Sequence, residues 1–288
     1  MAQSLRELVA DELSQPVDPR VRALAAAIAA KYGKAARAVL FYGSCLRERQ
    51  LDGLMLDFYL IVSSYREAYG AGWLAVANRA VPPNVFPFRD GKLAAKYAVL
   101  SEQDFHRLSG PETRSVSVWA RFAQPSRLAW AADDPARDRA MDAVARAAPT
   151  LLAAAGKIEG EEPLDWWRRA FALTYSAELR AERTGRSGSV VDAEPERYRR
   201  FSGPAMAAVP AGSSAMRSWA RRRLEGKFLS ILRLAKASAT FAGGADYIAW
   251  KINRHAGTNI VLKPWQRRWP LLAAISLLPR LLRSGAVR

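Results

Sequence analysis

Cysteine, histidine and acid are scarce in this chain of 288 residues. It has one cysteine, Cys45, and two histidines, His106 and His255. A single thiol builds no intrachain disulfide framework, which fits a reducing compartment. One Cys and two distant His make no zinc site, so any bound metal is expected to be a hard, oxygen-ligated cation. No stretch reaches the roughly 20 apolar residues that span a bilayer. The start, Met1-Ala2-Gln3-Ser4-Leu5-Arg6-Glu7, lacks the basic and apolar regions of a secretory signal. The expectation is a chain made and kept in the cytoplasm. Acids are outnumbered, 27 Asp and Glu against 44 Lys and Arg, for a net charge of +17. Such a balance points to a polyanionic partner: nucleic acid, anionic lipid or nucleotide. An Arg-rich surface typical of a GC-rich genome is the other source of such a charge.

What is present is a large apolar fraction, 50% of the residues, enough for a real core. Val21, Leu24, Ala25, Ile28 and Tyr32 recur at helical spacing and predict an amphipathic helix ended by Gly33. Ala38–Tyr42 and Leu54–Val62 read as strands, followed by Leu93–Leu100, Ser115–Phe122 and Arg127–Trp130. Pro82-Pro83-Asn84 marks a loop. From Ala132 the chain turns helical: Ala132–Ala155, Pro163–Arg183, Met216–Phe241 and Asp246–His255. Gly185–Ser189 and Pro204–Ser214 read as irregular.

The chemistry is concentrated in Val39-Leu40-Phe41-Tyr42-Gly43-Ser44 and Leu54-Met55-Leu56-Asp57-Phe58-Tyr59-Leu60-Ile61-Val62. A Gly-Ser turn after a strand lets backbone N–H groups and a hydroxyl approach a phosphate. A carboxylate on the next strand can hold Mg²⁺ beside it. This is the pattern of the working end of a nucleotidyltransferase. Along the second strand, Leu54, Leu56, Phe58, Leu60 and Val62 share a wholly apolar face expected to meet the core. Asp57 then faces a cleft. A polymerase-β-type site places a second carboxylate two residues on, where this chain has Tyr59. Lys96 sits in a strand-like apolar run, where its ammonium needs an anion or water. Glu178 lies one helical turn from Thr174 and Tyr175; it can complete a metal site or pair with a neighbour on a solvated face.

Four runs occur in order: Phe41-Tyr42-Gly43-Ser44, Met55-Leu56-Asp57-Phe58, Lys96-Tyr97-Ala98-Val99-Leu100-Ser101 and Leu173-Thr174-Tyr175-Ser176-Ala177-Glu178-Leu179-Arg180. Together they resemble the mitochondrial phosphatidate cytidylyltransferases, the translocator assembly and maintenance family. That family carries Tyr-Gly-Ser-Gly, Met-Leu-Asp-Phe, Lys-Tyr-Gly-Val-hydrophobic-Ser and Ser-Tyr-Ser-Gly-Asp-Phe-Arg. Arg121 with Pro125 resembles its Gly-Arg-Leu-x-Lys-Pro stretch. Arg233 and Lys236, before Phe241-Ala242-Gly243, resemble a late basic segment. Cys45 and Ala98 stand where the family has glycines, Glu178 where it has an aspartate, and the connector Arg47–Gly53 is particular to this chain.

With the change of character near Ala131 and the Trp/Arg/Leu composition of the last stretch, the resemblance implies an α/β fold: a polymerase-β-type nucleotidyltransferase domain over 1–131, a mainly helical domain over 132–260, and an amphipathic membrane-interface tail over 261–288. It implies CTP and phosphatidate as substrates, CDP-diacylglycerol and pyrophosphate as products in phospholipid (cardiolipin) biosynthesis, and Mg²⁺ as cofactor. Asp57 and Lys96 would be catalytic. Gly43, Ser44, Arg121, Arg233 and Lys236 would bind nucleotide or headgroup, and Asp57 and Glu178 would hold the metal. Lys263-Pro264-Trp265-Gln266-Arg267-Arg268-Trp269-Pro270 and Leu271–Leu282 suit a membrane interface, or equally a C-terminal helix docked on the body. The expected place is the cytoplasm, peripherally on the inner face of the cytoplasmic membrane. Nucleic acid is not the expected partner, because basic residues are spread rather than interleaved with aromatics. Two alternatives stay open: a nucleotidyltransferase acting on RNA or a small molecule, and a non-catalytic lipid- or nucleotide-binding relative.

Overall fold

The computed structural model describes residues 3–48, 51–91, 93–113, 115–177, 190–209, 219–240 and 261–268. Helix α1, Leu5–Leu13, starts at Ser4, whose hydroxyl accepts from the Glu7 N–H while Glu7 reaches back to the Ser4 N–H. Helix α2, Pro19–Ala30, is capped by Asp18 and buries Val21, Leu24, Ala25 and Ile28, the spacing read from the sequence. Strand β1, Ala36–Tyr42, runs into a short helix α3, Ser44–Glu48. Strand β2 is Met55–Val62. Helices α4, Tyr65–Tyr69, and α5, Trp73–Ala80, lead to β3, Asn84–Asp90, and β4, Leu93–Ser101. Then come α6, Glu102–Ser109, α7, Trp119–Phe122, and β5, Ser126–Ala131. The rest is helical: α8, Asp134–Ala145; α9, Ala147–Ala155; α10, Pro163–Ala177; α11, Pro195–Ala207; α12, Trp219–Thr240; and α13, Pro264–Arg268.

The molecule is an α/β fold on a mixed five-stranded sheet of order β3-β4-β2-β1-β5. Only β2 and β4 pair in parallel, and the other neighbours are antiparallel. Strand β3 was not expected from the sequence. Its Pro87 donates no ladder hydrogen bond, which an edge strand tolerates. Buried Asn78 on α5 fastens this edge: its amide donates to the Val99 carbonyl at 2.9 Å, and its oxygen accepts from the Asn84 N–H.

Three expectations are corrected. Residues Ser115–Phe122 form no strand. Thr113, Ser115 and Ser117 bond locally, with the Ser115 N–H on Thr113 Oγ1 at 3.1 Å and the Ser115 and Ser117 hydroxyls 3.0 Å apart. Such hydroxyl bonds compete with a ladder, and the chain continues into the α7 turn. Pro204 is not the start of an irregular stretch: α11 runs through it, held by buried Tyr198, Phe201 and Ala205 at helical spacing. Finally, β2 does not have one core face. Leu56, Phe58, Leu60 and Val62 pack with α2 and Tyr65, while Tyr59 and Ile61 on the opposite face are buried too. That second face is covered by a cluster running from α1 through α7–α11 and including Trp119, Trp167, Phe171 and Tyr198. A sheet covered on both sides leaves a polar strand residue reachable only near a strand end. Among the described residues no helix is long and apolar enough to cross a membrane.

Candidate active site

Register brings the polar residues together at the end of the sheet where β1 finishes and β2 begins. Tyr42 pairs with Asp57 across the antiparallel β1–β2 ladder. Asp57 pairs with Lys96 across the parallel β2–β4 ladder. Side chains in one cross-strand row lie on one face. Lys96 Nζ stands 3.0 Å from Asp57 Oδ1, with the side chains 27% and 19% exposed. Oδ1 is shielded from water and accepts no hydrogen bond of good geometry, so the ammonium is an ion-pair partner. The pair is reachable by solute yet shielded enough for its charges to matter.

Gly43 closes the site from the β1 side. Its φ of 97° lies in the region that favours glycine. A Cβ built there would sit 3.0 Å from Asp57 Oδ2. The turn therefore needs glycine for conformation and for room beside the carboxylate. Ser44 follows as the first residue of α3 and is half-buried. Cys45 points away from Asp57 into the core with Leu51 and Leu56, and its thiol donates to the Met55 carbonyl at 3.5 Å.

Arg121, on α7, lies with its guanidinium 5.0 Å from the centre of the Tyr42 ring. Burial pushes the Tyr42 phenol well up; Arg121 opposes this, and Asp57 adds to it. Asp57 and Arg121 thus flank Tyr42, a residue in the Gly-Ser run to which the sequence assigned no role, and Lys96 joins them through Asp57. Tyr59, where a second carboxylate was sought, is a core residue with its ring centre 5.3 Å from Tyr42 and 5.1 Å from Phe122. A buried aromatic site of this kind has no room for a solvated carboxylate.

Arg233 and Lys236 form a different cluster. Arg233 donates from Nε to the Pro82 carbonyl at 2.8 Å and from Nη2 to Ser115 Oγ at 2.9 Å. Lys236 donates to the Val81 carbonyl, and burial, with Arg233 beside it, pushes its ammonium down to about 7. These partners belong to the loops before β3 and α7 rather than to the Asp57–Lys96 pair. The hydroxyl loop was missed because Ser115-Val116-Ser117-Val118 alternates like a strand. Glu178 lies outside the described residues, as do 269–288 of the tail.

Among the described residues, no group of three or more His, Cys, Asp or Glu side chains is placed to hold a metal ion. Asp57 fits Mg²⁺ as a single oxygen ligand, since that ion uses one or two carboxylates with water and substrate phosphates. A cleft of about 490 Å³ lies behind the Gly43 turn, lined by Val17, Val21, Phe41, Leu46, Leu51 and Arg127 among others. Phe41 and Asp57 point to opposite faces of the sheet, so this cleft is separate from the Asp57–Lys96 pair. The sequence matches no protein-family model and no curated protein sequence.

Proposed function

We propose that the chain is a phosphatidate cytidylyltransferase on a polymerase-β-type nucleotidyltransferase scaffold, converting CTP and phosphatidate into CDP-diacylglycerol and pyrophosphate. The observation that carries this reading is the Asp57–Lys96 pair, 3.0 Å apart beside a turn that only glycine fits. The four family-like runs support it, because three of them meet at this point.

In this reaction a phosphate oxygen of phosphatidate attacks the α-phosphorus of CTP in line. A new P–O bond forms, the bond to the β-phosphate oxygen breaks, and pyrophosphate leaves. The nucleophile is already anionic, so no strong general base is needed. The work is positioning and charge neutralisation. Gly43 allows the backbone to approach the triphosphate, and Ser44 offers a hydroxyl. The Lys96 ammonium, held on a carboxylate, is positioned to pass to an arriving phosphate and offset charge as the bond breaks. Mg²⁺, held by Asp57 with Glu178 as the expected second carboxylate, would neutralise the phosphates and the departing pyrophosphate. Arg121, over the Tyr42 ring, is a further cation at this end of the sheet. Arg233 and Lys236 are candidates for the headgroup or the far end of the nucleotide.

The test is Mg²⁺-dependent pyrophosphate release with each nucleoside triphosphate, supplying phosphatidate vesicles or tRNA as acceptor. CTP with phosphatidate should give CDP-diacylglycerol. Asp57→Ala should lower turnover at least about a hundredfold without unfolding the protein. Retained activity would remove Asp57 as the metal ligand. A second reading, a non-catalytic lipid- or nucleotide-binding relative, is favoured by the burial of Tyr59 at the second-carboxylate position. Nucleotide binding without any Mg²⁺-dependent release would select it.

A further inference from the structure

Helix α12 turns three cations inward and leaves two large apolar side chains outside. Along its inner side, Trp219 donates from Nε1 to the Ala154 carbonyl at 3.1 Å. Arg222 is buried, and Arg233 and Lys236 bond to the loop before β3. Gly226 meets α10 so closely that an added Cβ would run into the Ala177 carbonyl oxygen. These contacts fix which face is inside. On the opposite side Leu224 is 77% and Phe228 61% exposed. Positions four apart share one helix face, so the two form a continuous apolar spot. Arg221, Arg223 and Lys227 flank it, all exposed. Of the acids on this helix there is only Glu225, which pairs with Arg221 at 2.9 Å.

An ordinary surface helix keeps its large apolar side chains on the covered face. Packing explains the inner face of α12; among the described residues it leaves Leu224 and Phe228 uncovered. Charge decides between occupants. A second copy of this chain would press the same cations against themselves. The apolar run 271–282 of this chain carries Arg280 and is followed by Arg283, again of the same sign. An anionic bilayer complements both parts, taking apolar side chains at the acyl boundary and cations among the headgroups.

We propose that the outer face of α12, Leu224 and Phe228 flanked by Arg221, Arg223 and Lys227, docks on an anionic lipid bilayer. The proposal rests on the phospholipid-acceptor reading for its setting and on α12 alone for its geometry. It makes α12 a second contact, independent of the tail beyond Lys263. It also puts Arg233 and Lys236 on the inner side of the helix that lies on the lipid.

The test is co-sedimentation of the full chain, without nucleotide, with vesicles of phosphatidylcholine containing about one-third phosphatidylglycerol, against phosphatidylcholine alone. Binding should favour the anionic vesicles and weaken with salt, each exposed cation strengthening it about fivefold. The Leu224→Asp/Phe228→Asp variant should bind at least about tenfold more weakly, with an unchanged circular dichroism spectrum. Trp73→Asp/Val76→Asp, which alters another exposed apolar pair, on α5, should bind like the parent. The proposal fails if the parent does not bind anionic vesicles, if the α12 variant binds as well as the parent, or if the α5 variant loses as much. It also fails if the α12 variant only turns a dimer into a monomer in sedimentation velocity. Pyrophosphate release measured on detergent-dispersed phosphatidate separates the two ideas. Vesicle binding without release leaves the surface standing and overturns the transferase reading; release without vesicle binding does the reverse.

Discussion

Gly43 is held to glycine by two separate constraints, its φ of 97° and the 3.0 Å approach to Asp57 Oδ2. Gly43→Ala is therefore expected to cost about 1–3 kcal/mol of stability through backbone strain. It should also lower turnover more than a surface glycine change such as Gly160→Ala, because the Cβ displaces the carboxylate. Denaturant melts and steady-state rates on both variants check this, and equal effects on turnover would separate Gly43 from the site. At this scale much was legible. The Gly-Ser turn, Asp57 and Lys96 stand out because each is a polar or special residue in an apolar strand or at its end. Two things were not. Tyr59 looked like a cleft residue because alternation shows which positions share a face, but not whether that face is covered. The role of Tyr42 was hidden because the guanidinium above it comes from Arg121, far along the chain.

At the scale of elements, α1 and α11 are clamped by a buried ion pair. Arg197 donates to both oxygens of Glu12, to Oε1 at 3.0 Å, and also to the Ala123 carbonyl at 3.1 Å. Its guanidinium lies 4.4 Å from the Phe201 ring centre. Arg197→Met leaves the Glu12 carboxylate buried without its cation, so it should lower stability by about 3–5 kcal/mol. Replacing both residues by apolar ones should recover much of that loss, and a double-mutant cycle by thermal unfolding measures it. The helix–helix approach at Gly226 makes a similar claim: Gly226→Ala should loosen α12 from α10 and lower the melting temperature. Helix α2 was legible from apolar spacing, and α10 and α12 fall within runs expected to be helical. Strand β3 was not, since Pro87 argues against a strand unless the strand is known to be an edge. Helix α11 was hidden by Pro204, whose penalty is outweighed by packing of Tyr198, Phe201 and Ala205.

For the whole molecule, charge and pH give the clearest expectation. The Lys236 ammonium titrates near 7 in the fold and at about 10.4 in an unfolded chain. Between those values the unfolded state holds the extra proton, so this group makes stability rise with pH. Burial pushes the phenols of Tyr32, Tyr65, Tyr69 and Tyr97 up, so above about 10 the unfolded chain releases protons first and stability falls. Urea midpoints should climb between pH of about 7 and about 9.5, and Lys236→Met should flatten the climb. Deleting the chain from Lys263 onward should lower vesicle binding and turnover of phosphatidate, and unchanged co-sedimentation would reject the tail as an anchor.

Composition and local pattern alone determined the residue types available for chemistry, the excess of positive charge, the strands before and after the Gly-Ser turn, and the helical second half. These depend on neighbours a few residues apart, which a sequence displays directly. Tertiary structure alone decided that Asp57 meets Lys96, that Tyr59 lies in a covered face, and that α12 turns Arg222, Arg233 and Lys236 inward and leaves Leu224 and Phe228 outside. Each of these depends on partners brought together by strand register and helix packing across long stretches of chain. Side-chain periodicity fixes a residue's face, and only the fold determines what that face meets.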